Sequence, residues 1–174
     1  MISTSDKPPC DVLPCPGSGV VFLDFDGVIL TLRTCLAEGT SWSRAKPDPV
    51  LTGVLRRICT VGVKIVVSSA WRDAEKITKD KLAEGGLIEH LHADWKTKEL
   101  RSRQAYSDRP EEVAEWLSRH PEITSYRILD DDPWAWTPKQ AERFLQCDAH
   151  EGASATVIKA LIDWARPPRQ NGPV

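Results

Sequence analysis

The sequence lacks the cysteine pattern of a disulfide-bonded or zinc-binding protein. Its 174 residues include five cysteines, an odd number, and none of them belongs to a CxxC pair. We therefore expect neither a disulfide framework nor a structural zinc site, and reduced thiols in a cytoplasmic protein are the simpler interpretation. The cysteines are Cys10, Cys15, Cys35, Cys59 and Cys147.

A strong charge of either sign and a long apolar run are missing as well. The net charge is −2, whereas nucleic-acid-binding domains are usually strongly basic, so the charge does not demand a nucleic-acid partner. Apolar runs stay well below the ~18 residues of a membrane span. Residues 1–19 show neither an apolar core nor a cleavage pattern, so we expect no signal peptide. The expected location is the cytoplasm, without membrane contact.

What is present suits one globular domain. Apolar residues make up 41% of the chain and charged residues 28%, and the length allows a full-sized core. Residues 1–18 contain four prolines and little periodicity, which predicts a flexible or loosely docked arm. The predicted domain covers residues 19–166, and residues 167–174 form a short tail. The sequence does not indicate an oligomeric state.

Apolar runs alternate with amphipathic stretches along the predicted domain. Strands are predicted at 20–24, 63–67, 87–93, 126–129 and near 143–147. Helices are predicted at 49–62, 73–86, 109–121 and 154–166, with a short one from 138. Residues 30–46 are predicted to be a long loop or a small flap. This alternation predicts an α/β fold of three layers around a mostly parallel, five-stranded sheet.

Polar residues follow three of these predicted strands. "DFDG" follows the first, "SSAWR" the second and "DDD" the strand at 126–129. Because ligands of such sheets bind beyond the carboxyl ends of the strands, we expect these groups to meet. Carboxylates of Asp24, Asp26, Asp130 and Asp131 cannot all ionise together without a cation, and oxygen ligands favour Mg²⁺. Whether Asp132 joins them is left open.

The first acidic pair suggests a division of labour. Residues two apart point to the same side of an extended strand, so the carboxylates of Asp24 and Asp26 are expected side by side. Such a pair can act as a nucleophile and a general acid/base. Gly27 permits a sharp turn just beyond them.

The order of these motifs resembles the haloacid dehalogenase (HAD) superfamily of phosphatases and phosphotransferases. "DFDGV" is similar to its first motif, "VVSS" to its second and "ILDDD" to its fourth. "SSAWR" together with "LDDD" resembles a small branch, the HAD domains of Swiss-army-knife RNA-repair proteins. The resemblance spans about residues 19–166. It implies a Rossmannoid fold with a minimal cap and a Mg²⁺-dependent phosphomonoester hydrolase that forms an aspartyl-phosphate.

The resemblance also implies roles for the acids. Asp24 resembles the nucleophile. Asp26 resembles the acid/base that protonates the leaving alcohol and gives its backbone carbonyl to the metal. Asp130 and Asp131 resemble the metal-binding acids of the fourth motif, with Asp24 completing the ligand set.

The hydroxyl and the cation of the family pattern each have alternatives here. Ser68 resembles the hydroxyl that binds the transferring phosphoryl group, with Ser69 as the substitute if the strand ends one residue later. Arg109 is the preferred counterpart of the third-motif cation, because the helix N-terminus beside it also favours anions. Lys96 and Lys98 compete with it, and Lys98 is a candidate for substrate binding.

The substrate is described only in outline. Arg72 either meets a substrate phosphate or forms a structural ion pair. Trp71, Trp134 and Trp136 either frame the mouth of the site, where they would stack on a base, or pack in the core. The short segments between motifs leave little room for a cap, so an open site is expected. Its candidate partners are phosphorylated substrates, including nucleotides and nucleic-acid ends.

Two other functions remain as alternatives. A receiver-like phospho-acceptor also combines acids, a hydroxyl residue and a cation around Mg²⁺, although its motifs occur in a different order along the chain. A non-catalytic binding module with a relic site is the second alternative.

Overall fold

The computed structural model describes residues 19–100 and 109–166, and a central sheet of five parallel strands organises them. The predicted arm over 1–18 and the predicted tail over 167–174 lie outside these residues. The strands are β1 (Gly19–Leu23), β2 (Lys64–Val67), β3 (Leu91–Lys96), β4 (Ser125–Asp130) and β5 (Phe144–Gln146). Their order across the sheet is β3-β2-β1-β4-β5. The predicted α/β sheet of five strands is confirmed, and every pairing is parallel.

Within residues 19–100 and 109–166, six α-helices connect or cover the strands. They are α1 (Leu32–Glu38), α2 (Pro49–Cys59), α3 (Glu75–Glu84), α4 (Arg109–Arg119), α5 (Pro138–Ala141) and α6 (Ala155–Ala165). Helix α2 begins as predicted: the Asp48 carboxylate accepts hydrogen bonds from the backbone N–H groups of Val50 and Leu51, both at 2.9 Å, and Pro49 follows the cap.

The two faces of β1 explain the three layers. Val21 and Leu23 pack into a core that also contains apolar residues of α2, α3 and α6. Phe22 lies on the opposite face, where its ring meets Trp116 of α4 edge-on at 5.3 Å between centroids. Because both faces are covered, β1 reads as a continuous apolar run instead of an alternating one. The predicted three-layer architecture is thus confirmed.

The predicted loop over 30–46 contains a helix. Thr31 caps α1 through its side chain, which accepts a hydrogen bond from the Thr34 N–H at 3.1 Å. Gly39 ends the helix in the left-handed conformation, with φ 60°. A helix of about two turns carries too short an apolar pattern to stand out in the sequence, so the prediction of a long loop was wrong for this part.

Two boundaries also differ from the prediction. A 3-10 turn, Ala70–Asp73, precedes α3, so that helix starts later than expected. A second 3-10 turn, Ile88–His90, occupies the region predicted as the third strand, and β3 begins only at Leu91. The weakly alternating stretch at 87–93 begins with a turn whose Leu87 packs in the core, and so short a pattern does not distinguish a turn from a strand.

Three cysteines of the described residues are free and buried: Cys35, Cys59 and Cys147. Burial raises the pKa of Cys59 and of Cys147 to about 12, so both remain neutral thiols at physiological pH. Among the helices in the described part of the chain, none is long and apolar enough to cross a bilayer.

Candidate active site

Three polar residues lie side by side at the carboxyl ends of the central strands. Asp24 follows β1, Ser68 follows β2 and Asp130 is the last residue of β4. The sheet hydrogen bonds continue to them: the Asp24 N–H donates to Leu129 O and the Ser68 N–H to Leu23 O, both at 3.0 Å. The predicted meeting of the first, second and fourth motifs is thus what the fold produces.

The carboxylates of Asp24, Asp130 and Asp131 form a compact cluster. Each offers an oxygen, and these oxygens lie within 4.8 Å of one another. Asp24 and Asp130 are buried, with 7% and 1% of their surface exposed. Burial raises the pKa of Asp24, that of Asp130 to about 7 and that of Asp131 to about 6, and the charge of Asp24 acts on both neighbours in the same direction. Such a cluster is short of positive charge.

Among the described residues, Arg109, the first residue of α4, is the side-chain cation that meets the cluster. Its Nη1 lies 3.5 Å from Asp24 Oδ1 and its Nε lies 4.0 Å from Asp130 Oδ2. The positive charge of the guanidinium partly offsets the effect of burial on the pKa of both carboxyls, but both pKa values stay raised. The N-terminus of α4 beside it adds a partial positive charge. Among the three predicted cations, Arg109 is the one that lies within 4.0 Å of these carboxylates.

Several buried polar atoms in this cluster have no hydrogen-bond partner among the described residues. They are Ser68 Oγ, Arg109 Nε and Nη1, and Asp130 Oδ2. An unsatisfied buried group costs about 1–3 kcal/mol, so four of them in one place indicate a ligand that completes their bonds. The donors of Ser68 and Arg109 suit phosphoryl oxygens, and the Asp130 oxygen suits a cation. The residues therefore fit a phosphate together with Mg²⁺.

Gly27 shapes the floor of the cluster. Its φ is 69°, a conformation that glycine adopts without strain, as the predicted turn requires. A Cβ at this position would lie 2.3 Å from Asp131 Oδ2. The glycine therefore also makes room for the Asp131 carboxylate, a requirement that only the folded arrangement reveals.

Asp26 lies beside the cluster, beyond the end of strand β1 at Leu23. Its charge contributes to the raised pKa of Asp24 and of Asp131, so the two predicted acids are near enough to interact. The Asp26 side chain is exposed, and its Oδ2 accepts a hydrogen bond from Trp71 Nε1 at 2.9 Å. Asp26 also lines a cavity together with Trp42 and Trp71. The carboxylate contact with Trp71 had no signal in the sequence.

The two serines after β2 have different surroundings. Ser69 caps the following 3-10 turn, where its Oγ accepts from the Trp71 N–H at 3.3 Å. Ser69 also forms a hydrogen bond that lowers the pKa of Asp24. The Ser68 hydroxyl, in contrast, is buried and has no hydrogen-bond partner within the described residues. Ser68 is therefore the better candidate for binding the phosphoryl group, and Ser69 for orienting the nucleophile.

Arg72 has the contacts of a structural residue. Its side chain is buried, and its Nη2 lies 2.7 Å from Glu112 Oε1 of α4. Its Nη1 donates to the carbonyl of Ser69 at 3.2 Å. Of the two interpretations of Arg72, these contacts correspond to the ion pair and not to the substrate contact. Arg72 ties the second-motif loop to the helix that carries Arg109.

The competing lysines face glutamates. Lys98 Nζ lies 3.5 Å from Glu115 Oε1, and its side chain is 62% exposed. Lys96 Nζ donates to the Arg72 carbonyl at 3.2 Å and lies 3.8 Å from Glu75 Oε2. The predicted substrate contact of Lys98 receives no support from this placement.

Tryptophans surround the site. Trp134 Nε1 lies 3.3 Å from Asp130 Oδ1, within the fourth-motif loop. Trp136 packs against Phe144 at 5.2 Å between ring centroids, as in the core interpretation. Sequence reasoning missed Trp42, which lines a cavity of about 520 Å³ together with Asp26 and Trp71. The residue lies in the segment predicted as a flap, and apolar periodicity carries no signal there.

A second group of potential metal ligands is satisfied by the protein itself. It consists of His92, His120 and Glu122. Both ring nitrogens of His120 lie 3.0 Å from carboxylate oxygens, one of Glu122 and one of Asp94. His92 Nδ1 accepts from the Asp94 N–H at 3.1 Å. These bonds account for the cluster without a metal.

Comparison with known proteins agrees with the geometry. The family model described as "HAD domain in Swiss Army Knife RNA repair proteins" matches residues 20–157. No curated protein and no solved structure matches the chain at a significant level. The matched range begins in β1, ends in α6 and includes Asp24, Ser68, Arg109 and Asp130. With this fold, this order of motifs and a match over most of its length, the chain belongs to the family of HAD domains found in Swiss Army Knife RNA repair proteins, within the HAD-type hydrolases.

Proposed function

We propose that the protein is a Mg²⁺-dependent phosphomonoester hydrolase that works through an aspartyl-phosphate. One observation carries the proposal. The buried carboxylates of Asp24 and Asp130 face the Arg109 guanidinium at 3.5 and 4.0 Å, while Ser68 Oγ beside them is unpartnered within the described residues. This combination offers a nucleophile, phosphate-binding donors and metal-binding acids at one edge of the sheet.

In the first step, a carboxylate oxygen of Asp24 attacks phosphorus and the bond to the leaving oxygen breaks. Asp26 gives its proton to that oxygen, so an alcohol departs. In the second step, Asp26 takes a proton from water, the water oxygen attacks phosphorus, and inorganic phosphate leaves as Asp24 is restored. The contact between Arg109 and Asp24 favours the ionised form that the attack requires.

Charge on the phosphoryl oxygens must be balanced as it moves. Arg109 and Ser68 supply donors, and Ser69 holds Asp24. Asp24, Asp130, Asp131 and the backbone carbonyl of Asp26 are the groups that would hold Mg²⁺. When bound, the ion would neutralise phosphoryl charge.

The substrate is proposed to be a phosphorylated nucleotide or nucleic-acid end. The family description refers to RNA repair proteins, which supports this class without identifying a compound. Helices α1 and α2 account for much of the chain between Asp26 and Ser68, so this segment is too short for a separate cap domain. An uncapped site suits the end of a polymer as well as a free nucleotide.

Replacement of the nucleophile tests the proposal. Asp24→Asn is expected to abolish phosphate release from p-nitrophenyl phosphate with Mg²⁺, because the amide cannot form the phosphoryl intermediate. EDTA is expected to have the same effect on the unaltered protein. Asp80→Asn on the exposed face of α3 is the matched control, and thermal unfolding checks that both variants fold.

Three results would contradict the proposal. Full activity of Asp24→Asn would exclude the nucleophile. A phosphorylated Asp24 that accumulates without turnover would indicate a receiver-like phospho-acceptor. If titration calorimetry detects no Mg²⁺ binding and no substrate is hydrolysed, a binding module with a relic site is the remaining function.

A further inference from the structure

The cavity beside Asp26 lies on the leaving-group side of the proposed reaction. It measures about 520 Å³ and is lined by Asp26, Ser41, Trp42, Ser43 and Trp71. An acid that protonates the leaving oxygen must lie within hydrogen-bond reach of it. Since the Asp26 carboxylate lines this cavity, the rest of the leaving group extends into it.

The indole ring of Trp71 is held in one orientation. Phe25 covers one of its faces, with ring centroids 5.6 Å apart and an angle of 23° between the planes. The Nε1–H is bound to Asp26 Oδ2 at 2.9 Å. Trp71 also lines the cavity, so a ligand there would meet an indole whose position is fixed before binding. A rigid aromatic surface loses little entropy when a planar ring stacks on it.

A second wall of the cavity comes from the turn between α1 and α2. The Ser41 carbonyl accepts from the N–H groups of Arg44 at 2.9 Å and Ala45 at 2.8 Å, which closes this turn. Trp42 is half-buried and packs against the main core. The Ser41 and Ser43 hydroxyls on either side of it are exposed and 3.4 Å apart. The wall thus combines an aromatic ring with two hydroxyls that can both donate and accept.

We propose that this cavity binds the nucleoside of the leaving group, with its base against Trp42 and Trp71 and polar groups against Ser41 and Ser43. The inference rests on the proposed function, because that reaction places the leaving group beside Asp26. Asp26 is the charged residue among the five lining residues, which suits an uncharged nucleoside. The volume lies in the range of small-molecule sites, and bases of any sequence stack on aromatic side chains.

Other phosphomonoesters match the cavity less well. A sugar phosphate has no planar ring to place against two indoles. The phenyl ring of phosphotyrosine stacks but carries no hydrogen-bonding edge for the serine hydroxyls. A nucleoside offers both a planar ring and several polar groups.

Substrate comparison with Trp42 variants tests the proposal. Base stacking on one aromatic side chain corresponds to about a 5- to 150-fold change in affinity. Trp42→Ala is therefore expected to lower kcat/KM for adenosine 3′- or 5′-monophosphate at least fivefold more than for glycerol phosphate. Trp42→Phe is expected to keep most of the preference. Leu36→Ala, on the exposed side of α1, is the control for a change in the same segment.

Several outcomes would overturn the assignment. If Trp42→Ala lowers kcat/KM equally for adenosine monophosphate and for glycerol phosphate, the residue is structural. An unchanged kcat/KM for adenosine monophosphate would exclude stacking on Trp42. If Trp42→Ala lowers kcat/KM for phosphotyrosine as much as for adenosine monophosphate, the cavity binds any aryl group and is not specific for a nucleoside.

A binding measurement separates this inference from the proposed reaction. Calorimetry compares adenosine monophosphate binding to Asp24→Asn and to the same variant carrying Trp42→Ala. Weaker binding by the double variant supports the cavity even if the unaltered protein releases no phosphate from any substrate, a result that would reject only the phosphatase. Equal binding by both would reject the cavity even if the phosphatase activity is demonstrated.

Discussion

Two clusters of acidic and basic side chains differ in how the protein balances their charge. Near the start of β3 and the end of α4, Asp94 is held by Arg119 and His120. Burial opposes ionisation of Asp94, but these hydrogen bonds outweigh it and its pKa is lowered. At the carboxyl ends of the strands the balance is reversed, and burial raises the pKa of Asp130 to about 7 despite Arg109. In the first cluster the basic side chains stabilise the ionised acid, whereas in the second one cation does not offset the burial of the acids.

The largest difference is expected when the central arginine of each cluster is replaced. Arg109→Gln is expected to lower kcat for phosphate release by about 100- to 1,000-fold, the usual cost of losing one donor to a developing charge. Arg119→Gln is expected to leave kcat within about twofold and to reduce stability by roughly 1 kcal/mol, because its ion pairs are partly exposed. Steady-state kinetics and urea unfolding measure the two effects. Similar kcat losses in both variants would remove the distinction between the clusters.

Magnesium is expected to stabilise the protein more at pH 8 than at pH 5. The pKa of Asp130 is raised from an ordinary 3.8 to about 7, so the folded state binds more protons than the unfolded state between these values. Without Mg²⁺, this contribution to stability is complete below pH 4 and is lost as the pH rises towards 7. Mg²⁺ competes with those protons. At 100 times its Kd at pH 8 it should add about 2.7 kcal/mol to the free energy of unfolding.

Thermal unfolding with and without Mg²⁺ at the two pH values measures this effect. Asp130→Asn is expected to reduce it, while Asp94→Asn, in the cluster with Arg119 and His120, is the matched control. A Mg²⁺ effect that is equal at both pH values would contradict the assignment of the raised pKa values to the metal-binding acids.

The smallest expected effect separates backbone strain from steric contact. Gly27 and Gly39 both have positive φ, 69° and 60°, so alanine at either position is strained by about 1 kcal/mol. Only at Gly27 would the new Cβ also displace Asp131, whereas nothing lies within 4 Å at Gly39. Gly27→Ala is therefore expected to weaken Mg²⁺ binding about tenfold or more in calorimetry, and Gly39→Ala to leave it unchanged. Equal affinities in the two variants would show that Asp131 is not a ligand.

The sequence predicted the sheet and the convergence of motifs because both depend on short-range patterns. Buried parallel strands are continuous apolar runs, and the residues after them share one edge, so the meeting of Asp24, Ser68 and Asp130 followed from strand positions. Arg109 was selected because it begins a helix. Each of these features depends on residues that are neighbours in the chain, and the folded structure retains it.

What the sequence did not predict depends on contacts between distant segments. The burial of Arg72 requires Glu112, 40 residues away, on the helix that covers that face of the sheet. The exposure of Asp26 depends on where strand β1 ends, and the apolar sequence around Leu23 does not indicate that boundary. Trp42 lines the cavity because the turn after α1 returns to the site, and the composition of that segment contains no sign of this return.

The hydrogen bonds that extend the sheet to Asp24 and Ser68 have a consequence for how the site opens. Since the amides of both residues belong to the same ladder as the strands, neither can be released without separating central strands of the molecule. Their amide hydrogens should exchange with solvent as slowly as those of the core. Local fraying should then leave Asp24 in place. In denaturant, loss of activity should coincide with global unfolding.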